Sequence, residues 1–272
     1  MIRPPAVAGQ FYPETAAKID AELDVLIRPA SVRRKAVAVV CPHAGWMYSG
    51  QTAGLVYSNV EIPDRVILVG PNHHGIGSKY AVFSAGTWRT PVGDVPIAEP
   101  LAAALLDNCD LLAEDARAHG AEHSLEVQVP MLLRANPNVR IVPILIGGSW
   151  PESGGRQNLR DIAAAITQTI QDYGKPTLLL ASTDLNHYED QETSKIKDKL
   201  VLDAVVNLDE DALMSRVVDV NVTMCGVAPT YIVLHAAKKL GAKHAELLDY
   251  RTSGDVSGDF ARVVGYGAVV IS

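Results

Sequence analysis

Residues 36–50 read AVAVVCPHAGWMYSG, and the fold turns on the join inside that stretch: an apolar run with no polar face, then a proline and an imidazole. A continuous Val-rich run suits a strand covered on both faces, as in a parallel sheet with helices on each side. Ligands of open α/β sheets bind in the crevice outside the carboxyl ends of such strands. The pattern recurs at 65–75, RVILVGPNHHG, and at 177–190, TLLLASTDLNHYED. His43, His73, His74, Asp184 and His187 are therefore expected beyond three strand ends, where residues distant in sequence converge on one rim.

Working outward, apolar runs at 36–41, 65–70, 139–146, 177–181 and 260–271 read as strands. Helical spacing appears at 14–27, 97–108, 124–134, 159–173, 192–207 and 224–240. This alternation predicts an α/β fold with a sheet sandwiched between helices. At 272 residues and 48% hydrophobic content the chain fits one large domain, 1–272, with a substantial core. No internal repeat or low-complexity tract interrupts it, and residues 150–156 form the one stretch that reads as a flexible surface loop.

The 31 acidic against 24 basic residues give a net charge of −7, which repels phosphate backbones, so neither nucleic acid nor an anionic lipid surface is expected as a partner. The opening MIRPPAVAGQFYP lacks the apolar core and cleavage site of a secretory signal, and no apolar run approaches membrane-spanning length. The expected location is the cytoplasm. Cys41, Cys109 and Cys225 form no Cys-x-x-Cys pair, which argues against a disulfide framework or a zinc ribbon.

Cys41 sits inside an apolar run and Cys109 at a helix end; Cys225 opens the helical stretch MCGVAPTYIVLHAAKKLG, which stops at Gly241. A thiol at a helix N-terminus is favoured as thiolate by the backbone N–H groups, so Cys225 is the expected ligand or nucleophile of the three. In AEHSLEVQVPMLLR, residues 121–134, His123 and Glu126 are three apart and share a helix face. They read either as an acid/base or positioning pair, or as a local cap beside the packing residues Leu125, Val129 and Leu132. Taken singly, each histidine reads as a hydrogen-bonded structural residue. Five His or Asp side chains on three strand ends, joined by one cysteine, instead fit a soft-to-borderline divalent site.

Several of these stretches carry a resemblance over essentially the whole length. AGQFYP (8–13), CPHAGWMYSG (41–50), GPNHHG (70–75), EHSLEVQVP (122–130), STDLNHY (182–188), the pair Cys225–Gly226, and YRTSGDVSGDF (250–260) followed by VVGYGA (263–268) resemble the Memo family, also called the B component of the AmmeMemoRadiSam group. That family is similar to the catalytic subunit of class III extradiol dioxygenases. The resemblance implies a mostly parallel, mixed central sheet flanked by helices on both faces, and a non-haem metal pocket. By motif, His43 and His73 would be metal ligands, with Cys225 in place of the dioxygenase carboxylate. His187 would be the acid/base histidine. Asp184 and His123 would line the catalytic pocket, with His74 behind the ligands. Iron(II) is the expected metal, with copper and zinc as alternatives, because thiolate shifts preference toward softer metals. The same company suggests a functional link to a radical S-adenosylmethionine protein and an AMMECR-domain protein.

Three functions are expected from these residues. The first is a metal-dependent, dioxygenase-like oxidoreductase acting on a phenolic or reductant small molecule, with His187 moving protons. The second is a non-catalytic adaptor in which the same pocket recognises a peptide or protein; Trp46, Tyr48 and Tyr188, with His74 and Glu126 nearby, would supply the contact surface. The third, a hydrolase using metal-activated water or Cys225, lacks a Gly-x-Ser-x-Gly elbow or a His-Glu-x-x-His pair. Residues 253–259 resemble a phosphate loop only superficially, since their two aspartates repel phosphate and no lysine comes after them as in a P-loop; they read as a structured turn.

Overall fold

The computed structural model describes residues 1–28, 30–148 and 155–272. Its strands are β1 (Ile2–Arg3), β2 (Ala38–Cys41), β3 (Arg65–Pro71), β4 (Tyr80–Val82), β5 (Thr87–Thr90), β6 (Gly93–Pro96), β7 (Ala113–Glu114), β8 (Arg140–Ile146), β9 (Leu178–Ser182), β10 (His187–Glu189), β11 (Ala245–Thr252) and β12 (Val263–Ile271). The helices are α1 (Ala16–Leu26), α2 (Trp46–Asn59), α3 (Glu99–Asp107), α4 (Val129–Ala135), α5 (Gly155–Tyr173), α6 (Gln191–Val206), α7 (Glu210–Asp219), α8 (Val227–Lys239) and the single turn α9 (Gly254–Ser257).

The large sheet has β2, β9, β3 and β8 side by side and parallel at its centre. On one flank β12 lies antiparallel to β2 and pairs in turn with β10 and β11; on the other, β4 runs antiparallel to β8 and pairs with β7. A small second sheet joins β1, β5 and β6. Every residue of β2 and of β9 is buried. Successive strand side chains point to opposite faces, so the centre of the sheet is covered on both. Helix α8 packs on β2, β3 and β9, while α2 packs on β2, β11 and β12. The α/β architecture expected from the apolar runs is the one observed.

Register sets the site. Cys41 at the end of β2 pairs with Ser182 at the end of β9, and Val69 of β3 pairs with Ala181. Three neighbouring strands therefore stop at nearly one level, and the residues just beyond their ends share one rim.

Several elements differ from expectation. The helical stretch 124–134 divides into a 3₁₀ turn (Glu126–Gln128) and α4, with Pro130 in the first turn of α4, where a missing N–H is harmless. Helix α2 escaped the sequence reading because nine of its fourteen residues are buried, leaving no polar stripe to mark a period. Helix α7 and strand β11 were also missed. Of the expected loop 150–156, residues 150–154 lie outside the described residues, and Gly155 and Arg156 already belong to α5. Among the described residues no helix is long and apolar enough to cross a membrane.

Candidate metal centre

His43 stands two residues beyond β2, His73 two beyond β3 and Asp184 two beyond β9. His123 arrives from the segment preceding the 3₁₀ turn, and Cys225 from the turn into α8. Gly226 makes the last approach feasible: a Cβ there would lie 2.4 Å from the Thr183 side chain and 2.7 Å from the Ser182 carbonyl oxygen. Its N–H donates to Thr183 Oγ1 at 2.9 Å. Any side chain at 226 would push Cys225 away from the strand ends.

The histidines are oriented by what their Nδ1 atoms meet. Ser182 Oγ donates to the Ser124 carbonyl at 2.6 Å, which uses its only hydrogen. It also lies 3.1 Å from His43 Nδ1, so that contact requires Nδ1–H as donor, and Nε2 keeps its lone pair. Gln128 Nε2 donates to the same hydroxyl at 3.2 Å and to the Pro42 carbonyl at 2.8 Å, fixing both. Glu122 plays the corresponding part for His73. Its Oε1 is 2.9 Å from His73 Nδ1 and its Oε2 accepts the His73 backbone N–H at 2.6 Å. His123 Nδ1 lies 3.3 Å from the same Oε1. One nitrogen from each of His43, His73 and His123 falls within 4.8 Å of the other two. With Nδ1 of His43 and His73 committed, the Nε2 lone pairs are what these rings offer a metal. A carboxylate or hydroxyl behind a ligating imidazole is how metal sites fix tautomer and ring orientation.

Electrostatics favour neutral rings at His43 and His123. Burial first, then neighbouring His123 and His73, holds His43 well below the usual imidazole range. Burial lowers His123 to about 4, against the opposing pull of Glu122. Burial works to raise the Glu122 carboxyl, yet the hydrogen bond and charge of His73 and the Ser124 N–H outweigh it and hold Glu122 well below the carboxylate range. Asp184 is pushed up to about 7 by burial, although it accepts the N–H groups of His43 at 2.8 Å and Ala44 at 3.3 Å.

Cys225 Sγ lies 3.2 Å from His43 Nε2 and 3.2 Å from the Asp184 backbone N–H, which donates to it. The expectation that the start of α8 favours a thiolate is corrected here. Burial, and then the Asp184 charge, push the thiol up, and these outweigh the N–H donors. Without a cation beside it Cys225 is a thiol. It also stands outside the 4.8 Å group of three histidines.

A cavity of about 430 Å³ opens over these residues, with Phe11, Tyr48, His187 and Tyr188 on its walls. His187 receives the fixed tautomer of the others: its Nδ1 meets the Thr223 carbonyl oxygen at 2.9 Å, so it donates from Nδ1, while its own N–H donates to Thr223 Oγ1 at 2.7 Å. Burial lowers its pKa. Tyr188 is 66% exposed and holds φ +64°, a left-handed conformation that a bulky residue adopts at a cost.

Three residues expected on this surface are not on the cavity wall. Trp46 is turned inward, its Nε1–H donating to the Val127 carbonyl at 3.1 Å, because as the first residue of α2 it packs beneath the N-terminal segment. Glu126 is buried against Arg3 at 2.7 Å and accepts from Ala6, Val7 and Tyr12. It clamps the N-terminus and does not face the cavity or His123. His74 is exposed and stands outside the cavity wall. Glu122, Ser182 and Gln128 escaped the sequence reading; the only signal for them was the run of polar residues beside His123 and Asp184 in motifs already marked.

A family model described as Memo-like protein matches residues 3–270. A MEMO1 family protein of Methanopyrus kandleri is 38% identical, with 99% of each chain covered. One from Methanosarcina barkeri is also 38% identical, over 99% of this chain and all of its own. One from Desulfurococcus amylolyticus is 34% identical over 98% of each.

Proposed function

This chain belongs to the Memo family, and from that premise we propose that its pocket binds a transition metal, redox-active iron(II) first and copper or zinc as alternatives, and with iron acts as a dioxygenase-like oxidoreductase on a phenolic or reductant small molecule. The observation that carries the reading is the shared orientation: acceptors behind His43 and His73 commit the Nδ1 of each and leave both Nε2 atoms to one point, with His123 within reach. That donor set suits borderline divalent ions.

His43 and His73 would hold the ion with His123 or Cys225 completing the set. A metal bonds imidazole nitrogen at about 2.0 Å and thiolate sulfur at about 2.3 Å. The 3.2 Å between His43 Nε2 and Cys225 Sγ is shorter than those two bonds end to end, so one ion reaches both. A bound iron would supply one-electron and oxygen chemistry. The chain's own residues do the rest. His187, neutral with Nε2 free, takes a phenolic proton at the cavity wall. Asp184 fixes the His43 backbone from behind, and Phe11, Tyr48 and Tyr188 flank an aromatic ring.

The test is the metal content of protein purified without oxygen, compared with His43→Ala, and then oxygen uptake over a catechol panel. Near-stoichiometric iron that falls away in the variant, with oxygen consumed, is the expected result. A metal content in His43→Ala unchanged from the wild type would overturn the ligand assignment, and metal without turnover would overturn the enzymatic half.

One observation favours the adaptor as a second reading. Met47, Tyr48 and Tyr188 are exposed at the cavity mouth at 64%, 37% and 66%, an apolar rim suited to a peptide. A partner whose binding survives metal removal would support it.

A further inference from the structure

We infer that a second divalent cation binds beside the first, on His74, Glu122 and His123. One ligand atom from each of these three lies within 4.8 Å of the other two. Two imidazoles and one carboxylate are the donors that borderline divalent ions take with open positions to spare. The inference rests on the proposed first metal only through His123, which would serve both positions.

Three details make the group more than a coincidence of side chains. Glu122 is 1% exposed, and its lone pairs are unevenly used. Oε1 accepts from His73 Nδ1 and from the Ser124 N–H at 2.9 Å each, whereas among the described residues Oε2 accepts only the His73 N–H. That leaves Oε2 with acceptor capacity that no described residue uses. His123 presents Nδ1 toward this carboxylate at 3.3 Å. The ring's second nitrogen, Nε2, would remain for the inner position. His74, next to the inner ligand His73, makes no side-chain hydrogen bond among the described residues, so its ring is free to swing to an ion.

The two positions would then be joined by the His123 ring, Nε2 on the inner ion and Nδ1 on the outer. The second ion displaces the Nδ1 proton, which leaves to solvent, so its uptake is linked to proton release. Glu122 would hold one ion directly while orienting His73 toward the other. The outer position is the weaker of the two, because it orders an exposed side chain and opens to water.

Zinc titration tests this with calorimetry and elemental analysis after desalting, on the wild type, His74→Ala and His43→Ala. Two zinc ions per chain are expected in the wild type, the weaker being lost in His74→Ala, an exposed substitution that leaves the fold intact. His43→Ala is expected to weaken the inner ion at least about tenfold while the outer persists. A single zinc lost in His43→Ala and unaffected by His74→Ala would overturn the second position and leave the first standing. No zinc in the wild type would overturn both. Two zinc ions retained in His74→Ala would place the extra ion elsewhere and overturn this assignment.

Discussion

Glu122 and Glu126 leave the same stretch of backbone four residues apart, each 1% exposed, and their surroundings give them different work. Glu126 meets a guanidinium, a tyrosine hydroxyl and two backbone N–H groups. All are fixed donors, so it ties residues 3–12 to the core and holds Phe11 over His123, with ring centroids 4.4 Å apart. Glu122 meets imidazoles instead. An imidazole has two nitrogens and a choice of tautomer, so the carboxylate decides which nitrogen is left facing the cavity. A buried carboxylate is thus a clamp or a selector according to its donors.

Breaking the clamp is expected to have the largest effect. Arg3→Ala leaves Glu126 a buried charge without its partner and strips donors from the His119 and Glu122 carbonyls; a loss of about 3–5 kcal/mol is expected. Denaturant midpoints measure it, and a loss below about 1 kcal/mol would show that the clamp is not what fixes the N-terminal segment. Breaking the selector should act on ligand binding more than on stability. Glu122→Gln is expected to weaken metal binding about 10- to 100-fold, with a stability cost of about 1–3 kcal/mol for the mismatched amide. Equal metal affinity in Glu122→Gln and wild type would remove Glu122 from the site.

A milder version of the selector is Ser182. Ser182→Ala removes the acceptor behind His43 Nδ1, and about 1 kcal/mol of stability should go with it, together with the single tautomer at His43. Thermal unfolding and side-chain nitrogen shifts read the two effects separately.

The smallest effect expected is in pH dependence. Burial holds His123 at about 4, below an unfolded value of roughly 6.5. Between those values the unfolded chain binds more protons, so the stability contributed by the neutral ring is complete above the unfolded value and is lost as pH falls toward 4. Glu122, also held below its ordinary value, adds a loss that begins lower, as pH falls through the carboxylate range. Denaturant midpoints measured from neutral pH down to about 4 should fall less steeply in His123→Gln than in the wild type. Parallel slopes would mean that His123 titrates normally.

The same contrast explains what was legible in the sequence. His43, His73 and Asp184 stood out because each comes just after an apolar strand, and a strand's end is a local feature that a linear reading detects. Glu122 did not, because its partner His73 is 49 residues away and nothing local separates it from Glu126. The His123–Glu126 spacing even pointed to the wrong glutamate: the pairing assumed a helix at 123, whereas regular structure begins only with the 3₁₀ turn at Glu126. Trp46 misled for the opposite reason. It neighbours the motif histidine in sequence, but the start of α2 turns its ring into the core.

The most direct test of the central claim is a long-range proton–nitrogen spectrum of the histidine side chains at neutral pH, before and after one equivalent of zinc. His43 and His73 are expected to be protonated on Nδ1 with bare Nε2 atoms, and zinc to shift those Nε2 resonances first. Protonation on Nε2, or Nε2 signals that zinc leaves unmoved, would contradict it.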